Sequence, residues 1–308
     1  MSNARLTPRL AGLLLLPPLL WAGNAIVGRL IAGSVPPLAL NAIRWSLALL
    51  VLLVLGRKAI ATAEARRQIL ERWKPLALLG LLGVGAYNAL QYMALTTSSA
   101  MNVTLIASSM PVWMLAIGAI FYRERPSGRS MLGAVLSLVG VAVVLGRGSL
   151  ETLAQVQFVA GDLLMLVAIL GWATYSWLLA RPHPLLRGAA RPDWGWAEML
   201  LVQTLFGIVF AGAAAGAEAV VVGEPIHWSP WVLLALLYVA IGPAIIAYRS
   251  WGLGVAQAGP EIAAFFSNLT PLIAAVLSAA VLGEAPQLYH GVAFVLIVAG
   301  IIVSSRRR

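Results

Sequence analysis

The sequence predicts an all-α polytopic membrane protein with ten transmembrane helices in two inverted five-helix repeats, with both termini in the cytoplasm (N-in/C-in). Of its 308 residues, 61% are apolar and 10% are charged, whereas soluble domains carry roughly 45–50% apolar and about 25% charged residues. Unbroken apolar runs such as Leu76 to Leu82 and Val292 to Val303 differ from the alternating segments of membrane β-barrels. Ten helices of about 20 residues each leave no room for a soluble domain.

Basic residues, glycines and prolines separate the apolar stretches of the first half. The first predicted span follows Arg9, the second ends before Arg57, and the third follows Lys74. The fourth ends before Arg123, and the fifth begins at Arg129. Together the five predicted spans are residues 10–31, 36–55, 75–96, 100–121 and 129–147.

The second half divides in the same way. Asp162, Glu198 and Glu261 begin the sixth, seventh and ninth spans, and Gly242-Pro243 predicts a bend in the eighth. The five predicted spans are residues 159–180, 197–217, 230–250, 259–282 and 287–304. Because no carboxylate falls in the middle of a span, the sequence argues against proton exchange through a central acid.

The distribution of Lys and Arg predicts the orientation. An N-terminus in the cytoplasm puts 18 of the 21 basic residues on the cytoplasmic side: Arg5, Arg9, Arg57, Lys58, Arg66, Arg67, Arg72, Lys74, Arg123, Arg125, Arg129, Arg181, Arg187, Arg191, Arg249, Arg306, Arg307 and Arg308. Arg147 falls outside, while Arg29 and Arg44 lie within spans. The positive-inside rule therefore predicts an N-in/C-in topology. It also accounts for the net charge of +10 without a nucleic-acid partner.

The two halves of the sequence resemble each other. A shift of about 160 residues aligns Pro111 with Pro271, Glu124 with Glu284, Pro126 with Pro286 and Gly140 with Gly300, and a shift of 151 aligns Trp21 with Trp172. We therefore divide the chain into a first repeat, residues 1–150, and a second, residues 151–308. Because five helices is an odd number, the second repeat enters the membrane from the opposite side. Inverted repeats of this kind place a binding site near the membrane midplane.

A set of short motifs resembles a known family. They are Trp21-Ala22, Arg44-Trp45 followed by Ala48, Tyr92 to Leu95, Pro111, Glu124 and a glycine-rich fifth span, repeated through Trp172, Pro271, Glu284 and Gly300. This order resembles the EamA-type transporters of the drug/metabolite transporter superfamily, and most of all the bacterial aromatic amino-acid exporters. The resemblance implies export of small metabolites across the bacterial inner membrane. The sequence departs from its own repeat at Arg44, since the seventh span has no intramembrane arginine.

The candidate substrate-binding residues are aromatic and amide side chains well inside the spans. They are Trp21, Asn24, Tyr87, Asn88, Gln91, Trp113, Trp172, Tyr175, Phe265 and Asn268. Residues three or four positions apart share a helix face, so these side chains can point inward together. The alternative for each is helix packing or interhelical hydrogen bonding. The tryptophans near span ends are expected in the interfacial belt: Trp73, Trp194, Trp196, Trp228, Trp231 and Trp251.

Four further residues are candidates for gating or for structural roles. Pro111, Pro243 and Pro271 interrupt the backbone hydrogen bonds of their helices, which bends transporter helices but is also tolerated in ordinary packing. Arg44 is an intramembrane charge, which suggests a function unless its side chain extends to the interface.

The sequence therefore favours a transporter that exports small amphipathic metabolites by alternating access, with aromatic or other neutral amino acids as substrates. Organic-cation efflux is the alternative. A channel or a membrane-embedded enzyme fits less well, because no catalytic residues, metal ligands or cofactor motif cluster within the spans. With no cysteine and with its three histidines in or beside loops, no cofactor or metal is predicted. The expected partners are a small-molecule substrate and the bilayer, with the chain as a monomer or weak homodimer.

Overall fold

The structure, a computed structural model, describes residues 6–31, 33–282 and 287–305 as a bundle of helices without any strand in those ranges. Within these ranges, ten helices are long and apolar enough to cross a membrane, which confirms the predicted all-α fold with ten spans. We number them α1 (Pro8–Gly28), α2 (Pro37–Leu55), α3 (Trp73–Thr97), α4 (Ala100–Tyr122), α5 (Gly128–Leu145), α6 (Ala160–Ala180), α7 (Trp196–Val221), α8 (Pro230–Ala258), α9 (Pro260–Leu277) and α10 (Leu288–Ser305). Glu284, Pro286 and the terminal Arg306 to Arg308 lie outside the described residues.

One predicted span is too short. The eighth was expected to end at residue 250, but α8 continues to Ala258. It ends at Gly259, whose φ of 90° is readily adopted only by glycine, and Pro260 follows. The charge of Arg249 does not stop the helix, because this side chain is exposed and its guanidinium lies 5.0 Å from the ring of Trp196.

Loop contacts define the two ends of the bundle. At the end that we call the basic end, the Arg72 guanidinium donates hydrogen bonds to the carbonyls of Leu185 and Ala190, which joins the loop after α6 to the segment before α3. The short helix Ala63–Glu71, with two arginines, also lies there. At the opposite end, the backbone N–H of His227 donates to the carbonyl of Ser34.

Carboxylates hold helix termini together at the opposite end. Glu218, near the end of α7, accepts the N–H groups of Leu38 and Ala39 at the start of α2. Asp162, in the first turn of α6, accepts a hydrogen bond from Ser98, after α3, and another from Asn102 of α4. The free N–H groups of a helix N-terminus favour a negative charge. The expectation that Asp162 begins the sixth helix is thus confirmed.

The helices pack in a pattern that is the same for both halves. Helix α1 packs against α8 and α9, while α6, its counterpart, packs against α3 and α4. Helix α2 packs against α7, and α5 packs against α10. The first helix of each half therefore packs against helices of the other half. The domain boundary near residue 150 and the inversion of the second half stay predictions.

Interruptions of the helices occur at equivalent places. Helix α4 is broken at Ser109, just before Pro111, and α9 is broken at Asn268, just before Pro271. Helices α3 and α8 each contain a π-helical segment, Leu81–Ala86 and Ala240–Ile246. The second of these contains Pro243, where the sequence predicted a bend. A proline removes one backbone hydrogen bond and displaces the preceding turn.

Candidate functional site

Seven aromatic rings from five helices meet inside the bundle, and we call them the aromatic cluster. They are Trp21, Trp45, Tyr87, Trp172, Tyr175, Tyr248 and Trp251. The ring of Trp172 lies at the centre, with its centroid 5.0 to 5.5 Å from those of five other members. Edge-on and tilted contacts of this length are favourable between aromatic rings.

Four of the predicted site residues belong to the cluster. Trp21 and Trp172, which occupy matching positions in the two halves, pack edge on with their ring centroids 5.5 Å apart. Tyr87 and Tyr175 contact Trp172 from either half, at 5.0 and 5.2 Å. The cluster therefore joins the two halves at the centre of the bundle.

Three predicted site residues lie elsewhere. The Trp113 indole donates a hydrogen bond of 3.0 Å to the Ser109 hydroxyl at the break in α4. The Asn268 amide donates one of 2.8 Å to Ser137 of α5, and Phe265 is buried without a ring contact to the cluster. For Trp113 and Asn268, these contacts favour the packing alternative.

The remaining predicted amides lie on helices that contribute to the cluster. Asn88, on α3, is buried beside the phenol of Tyr248. Asn24 and Gln91 are half-buried, and neither side chain makes a hydrogen bond within the part of the chain that the structure describes. Their polar groups are therefore available to a ligand.

Sequence reasoning missed three members of the cluster, and for Trp251 its interpretation as a belt residue is wrong. Trp251 is 1% exposed and its indole donates to the Ser176 hydroxyl, whereas Trp73, Trp228 and Trp231 are exposed as expected. The error follows from the early end predicted for the eighth span. The spacing of Tyr248 and Trp251, three residues apart on one face of α8, was the available signal.

The two π-helical segments supply carbonyl groups to the cluster. The indole of Trp21 donates to the carbonyl of Pro243 at 3.4 Å, and the hydroxyl of Tyr248 donates to the carbonyl of Gly83. Irregular backbone at membrane depth is tolerated where such groups find partners inside the protein. The indole nitrogen of Trp172 differs, because it is buried with no hydrogen-bond partner among the described residues.

A cavity of about 710 Å³ opens at the basic end. Its wall includes Trp177 of α6, Val255 of α8, Glu261 at the start of α9 and the Glu124–Arg181 ion pair, which joins the α4–α5 loop to the end of α6. Val255 lies about one helical turn after Trp251 of the cluster, and Trp177 lies five residues after Trp172. The cavity therefore shares helices α6 and α8 with the aromatic cluster, although no member of the cluster lines it.

The charged candidates occupy two different environments. Arg44 is 2% exposed, so its side chain does not extend to the interface. Glu198 and Glu261 stand in the first turns of α7 and α9, as the sequence predicted. Among the residues that the structure describes, no group of three His, Asp or Glu side chains could hold a metal ion.

Comparison with known proteins agrees with the fold and with the two halves. The model of the EamA-like transporter family matches residues 10–146 and again residues 159–306. An uncharacterized transporter of Archaeoglobus fulgidus is 27% identical over 303 residues, covering 96% of this chain and 97% of its own. The aromatic amino acid exporter YddG of Ancylobacter novellus is 26% identical over 293 residues, covering 93% of each chain.

A crystal structure with 23% sequence identity has the same fold, with a TM-score of 0.75 over 96% of each chain. The family and the relatives are transporters or exporters, so the expectation that this chain is not an enzyme is confirmed. The chain therefore lies in a lipid membrane and transports a small molecule. From the two matches, the ten spans and the packing of the halves, we conclude that the chain is a multi-pass membrane protein of the EamA-like transporter family.

Proposed function

We propose that this transporter exports small amphipathic metabolites, namely aromatic or other neutral amino acids, by alternating access through a site between its two halves. The observation that carries the proposal is the contact between Trp21 and Trp172 at the centre of the aromatic cluster. Transporters built from inverted repeats bind their substrate between the repeats, near the membrane midplane. The name of the Ancylobacter novellus relative supports this substrate class.

The cluster suits a ligand with an apolar ring and a polar or zwitterionic end. A substrate ring that packs on the half-buried rings of Trp21 or Tyr87 gains about 0.5–1.5 kcal/mol per added aromatic pair beyond the burial of apolar area. Amides can hold the polar end, since each offers both donors and an acceptor. Asn24 and Gln91 are suited to this role because their side chains are half-buried and not bound to another described residue.

The cavity at the basic end supports a route for the substrate. We propose that this end faces the cytoplasm of the bacterial inner membrane, in accordance with the positive-inside rule. A substrate then enters beside Glu261 and moves past Trp177 toward the cluster. For release on the other side, the contacts of Glu218 with the start of α2 and of Asp162 with α4 must break.

We propose that the transporter works as a monomer or as a weak homodimer.

Efflux of organic cations is the second candidate, because aromatic rings also attract cations. A permanent cation in the membrane interior prefers a buried counter-charge. Within the described ranges, the cluster contains no carboxylate, since Asp162, Glu198, Glu218 and Glu261 all lie near helix ends. This favours the amino acids.

Counterflow in proteoliposomes tests the proposal. The purified protein is reconstituted into liposomes that contain unlabelled tryptophan, and labelled tryptophan is then added outside. We expect saturable uptake that depends on the internal tryptophan and that excess phenylalanine inhibits, with protein-free liposomes as the control. Exchange of tetraphenylphosphonium but of no amino acid would favour the second candidate, and an unsaturable current would show a channel.

A further inference from the structure

Helix α2 carries two polar residues that are almost completely buried. Asn41 is 1% exposed and Arg44 is 2% exposed, and their spacing of three residues puts them on one face of the helix. Arg44 lies seven residues after Pro37, where α2 begins, which is about 10 Å along the helix axis. A side chain that reached the interface would be exposed, so the depth of Arg44 needs another explanation.

Neither side chain has the partners that burial normally requires. Arg44 makes no ion pair and no hydrogen bond with any residue that the structure describes, and its Nε atom is buried without a partner. Both amide atoms of Asn41 are buried and unpartnered as well. Glu218 reaches the start of α2, but its two carboxylate oxygens accept the backbone N–H groups of Leu38 and Ala39.

Packing alone does not account for a guanidinium at this position. Its Cζ atom lies 5.4 Å from the ring of Trp45, and this cation–π contact stabilises the charge but accepts none of its hydrogen bonds. An apolar residue of similar volume usually fills a buried space at a lower cost than an uncompensated charge. A binding role would explain why the charge is there.

The two residues border the aromatic cluster. The ring of Trp45 lies 4.9 Å from that of Tyr248, which in turn lies 5.3 Å from that of Trp172. Arg44 is close enough to the Tyr248 phenol for the two groups to interact electrostatically. A ligand whose ring occupies the cluster can therefore direct a charged group toward α2.

We propose that Arg44 and Asn41 bind the carboxylate of the transported amino acid. This rests on the function proposed above and extends it to one group of the substrate. The guanidinium can donate two parallel hydrogen bonds to a carboxylate, a geometry that favours arginine over lysine. The Asn41 amide can donate another to the carboxylate, or accept one from the ammonium group of the substrate. The site would then discriminate amino acids from amines with the same ring.

Competition in counterflow tests this proposal, with tryptophan and tryptamine as a pair that differs in the carboxylate. For the parent protein, we expect tryptophan to inhibit uptake of labelled tryptophan at a concentration at least tenfold lower than tryptamine does. Arg44→Gln should abolish that difference, because it weakens inhibition by tryptophan and leaves inhibition by tryptamine unchanged. Asn41→Leu should make the difference smaller. Arg44→Lys should restore it only in part. Arg249→Gln, at an exposed arginine, is the matched control and should behave as the parent.

Thermal stability separates a binding role from a structural one. Removing a buried unpaired charge should leave the melting temperature of the ligand-free protein unchanged or raise it. Arg44→Gln should therefore combine normal or higher stability with the loss of discrimination. The proposed carboxylate site is wrong if Arg44→Gln lowers the melting temperature and weakens inhibition by tryptophan and by tryptamine equally. It is also wrong if the variant still discriminates between the two compounds.

The failure of the proposed function can be recognised separately. If the parent protein exchanges no aromatic amino acid, that function is wrong, and the carboxylate site is then judged by ligand-induced stabilisation of the purified protein. Phenylalanine and leucine are compared with their amides for this purpose. The carboxylate site is supported if the amino acids raise the melting temperature more than their amides do, and if Arg44→Gln removes that difference. Equal effects of the amino acids and their amides would overturn it.

Discussion

The environment of each tryptophan determines what its indole can do. Trp231 is 76% exposed at the start of α8, where an indole can remain at the membrane interface. Trp172 is 2% exposed, contacts five rings and has no described acceptor for its N–H group. Leaving such a buried donor unpaired costs about 1–3 kcal/mol. A substrate that offers an acceptor to Trp172 would regain part of this energy on binding.

Asn268 is predicted to stabilise the bundle without contacting the substrate. Because its amide donates to Ser137, Asn268→Ala and Ser137→Ala should each lower the free energy of unfolding, with a coupling energy of about 0.6 kcal/mol between them. Denaturant unfolding of the two single variants and the double variant measures this coupling. The half-saturating concentration of tryptophan in counterflow should be the same for both variants as for the parent. If Asn268→Ala raises this concentration and Ser137→Ala does not, Asn268 contacts the substrate and the prediction is wrong.

Residue types and repeat symmetry predicted part of the candidate site. Trp21 and Trp172 were identified because they match in the two halves, and the structure brings them together. Trp251 was missed because the eighth span was expected to end beside Arg249, whereas α8 continues until Gly259 and Pro260. Trp113 could not be distinguished from the others by its sequence, since the hydrogen bond from its indole to Ser109 is visible only in the structure.

Among the helices, the interruptions and the close contacts determine the geometry of the bundle. The breaks before Pro111 and Pro271 could be predicted, because proline lacks an N–H group and displaces the preceding turn. The π-helical segment Leu81–Ala86 could not, because it contains no proline. In that segment, a Cβ atom at Gly83 would lie 2.7 Å from the ring of Tyr175. The glycine thus allows a cluster residue to approach α3.

Helices α5 and α10 are predicted to depend on glycine for their contact. A Cβ atom at Gly300 would lie 2.7 Å from the carbonyl oxygen of Gly133, whereas one at Gly291, on the same helix, would meet no atom within 4 Å. Gly300→Ala should therefore lower the free energy of unfolding by about 1–3 kcal/mol through overpacking. Gly291→Ala should not lower it. Equal melting temperatures for the two variants in detergent would contradict this packing.

For the whole molecule, the two ends differ in charge and in closure. Loop arginines and the 710 Å³ cavity lie at the basic end, while carboxylates hold the helix termini together at the opposite end. The composition predicted the ten spans, since a sequence this apolar must avoid water. The composition did not predict the cavity, because the cavity depends on how far apart the ends of α4, α6 and α8 lie.

The orientation in the membrane is predicted to be N-in/C-in. Single cysteines can report it, because the chain has none of its own. Ala189→Cys, at the basic end, should react with an impermeant thiol reagent only from the cytoplasmic side, and Glu224→Cys, after α7, only from outside. The reverse pattern would show that the chain is inserted the other way. A cysteine at residue 285, which lies outside the described residues, should also react from outside if the second half is inverted.

The central claim is that the tryptophans contributed by the two halves form one substrate site. Counterflow of labelled tryptophan by Trp21→Ala and Trp172→Ala tests it most directly, with Trp231→Ala, at an exposed position, as the matched control. Loss of one aromatic contact worth about 0.5–1.5 kcal/mol, with part of the ring burial, should raise the half-saturating concentration at least several-fold in both variants. Trp231→Ala should transport as the parent does. If both variants fold normally and transport tryptophan like the parent, the site lies elsewhere.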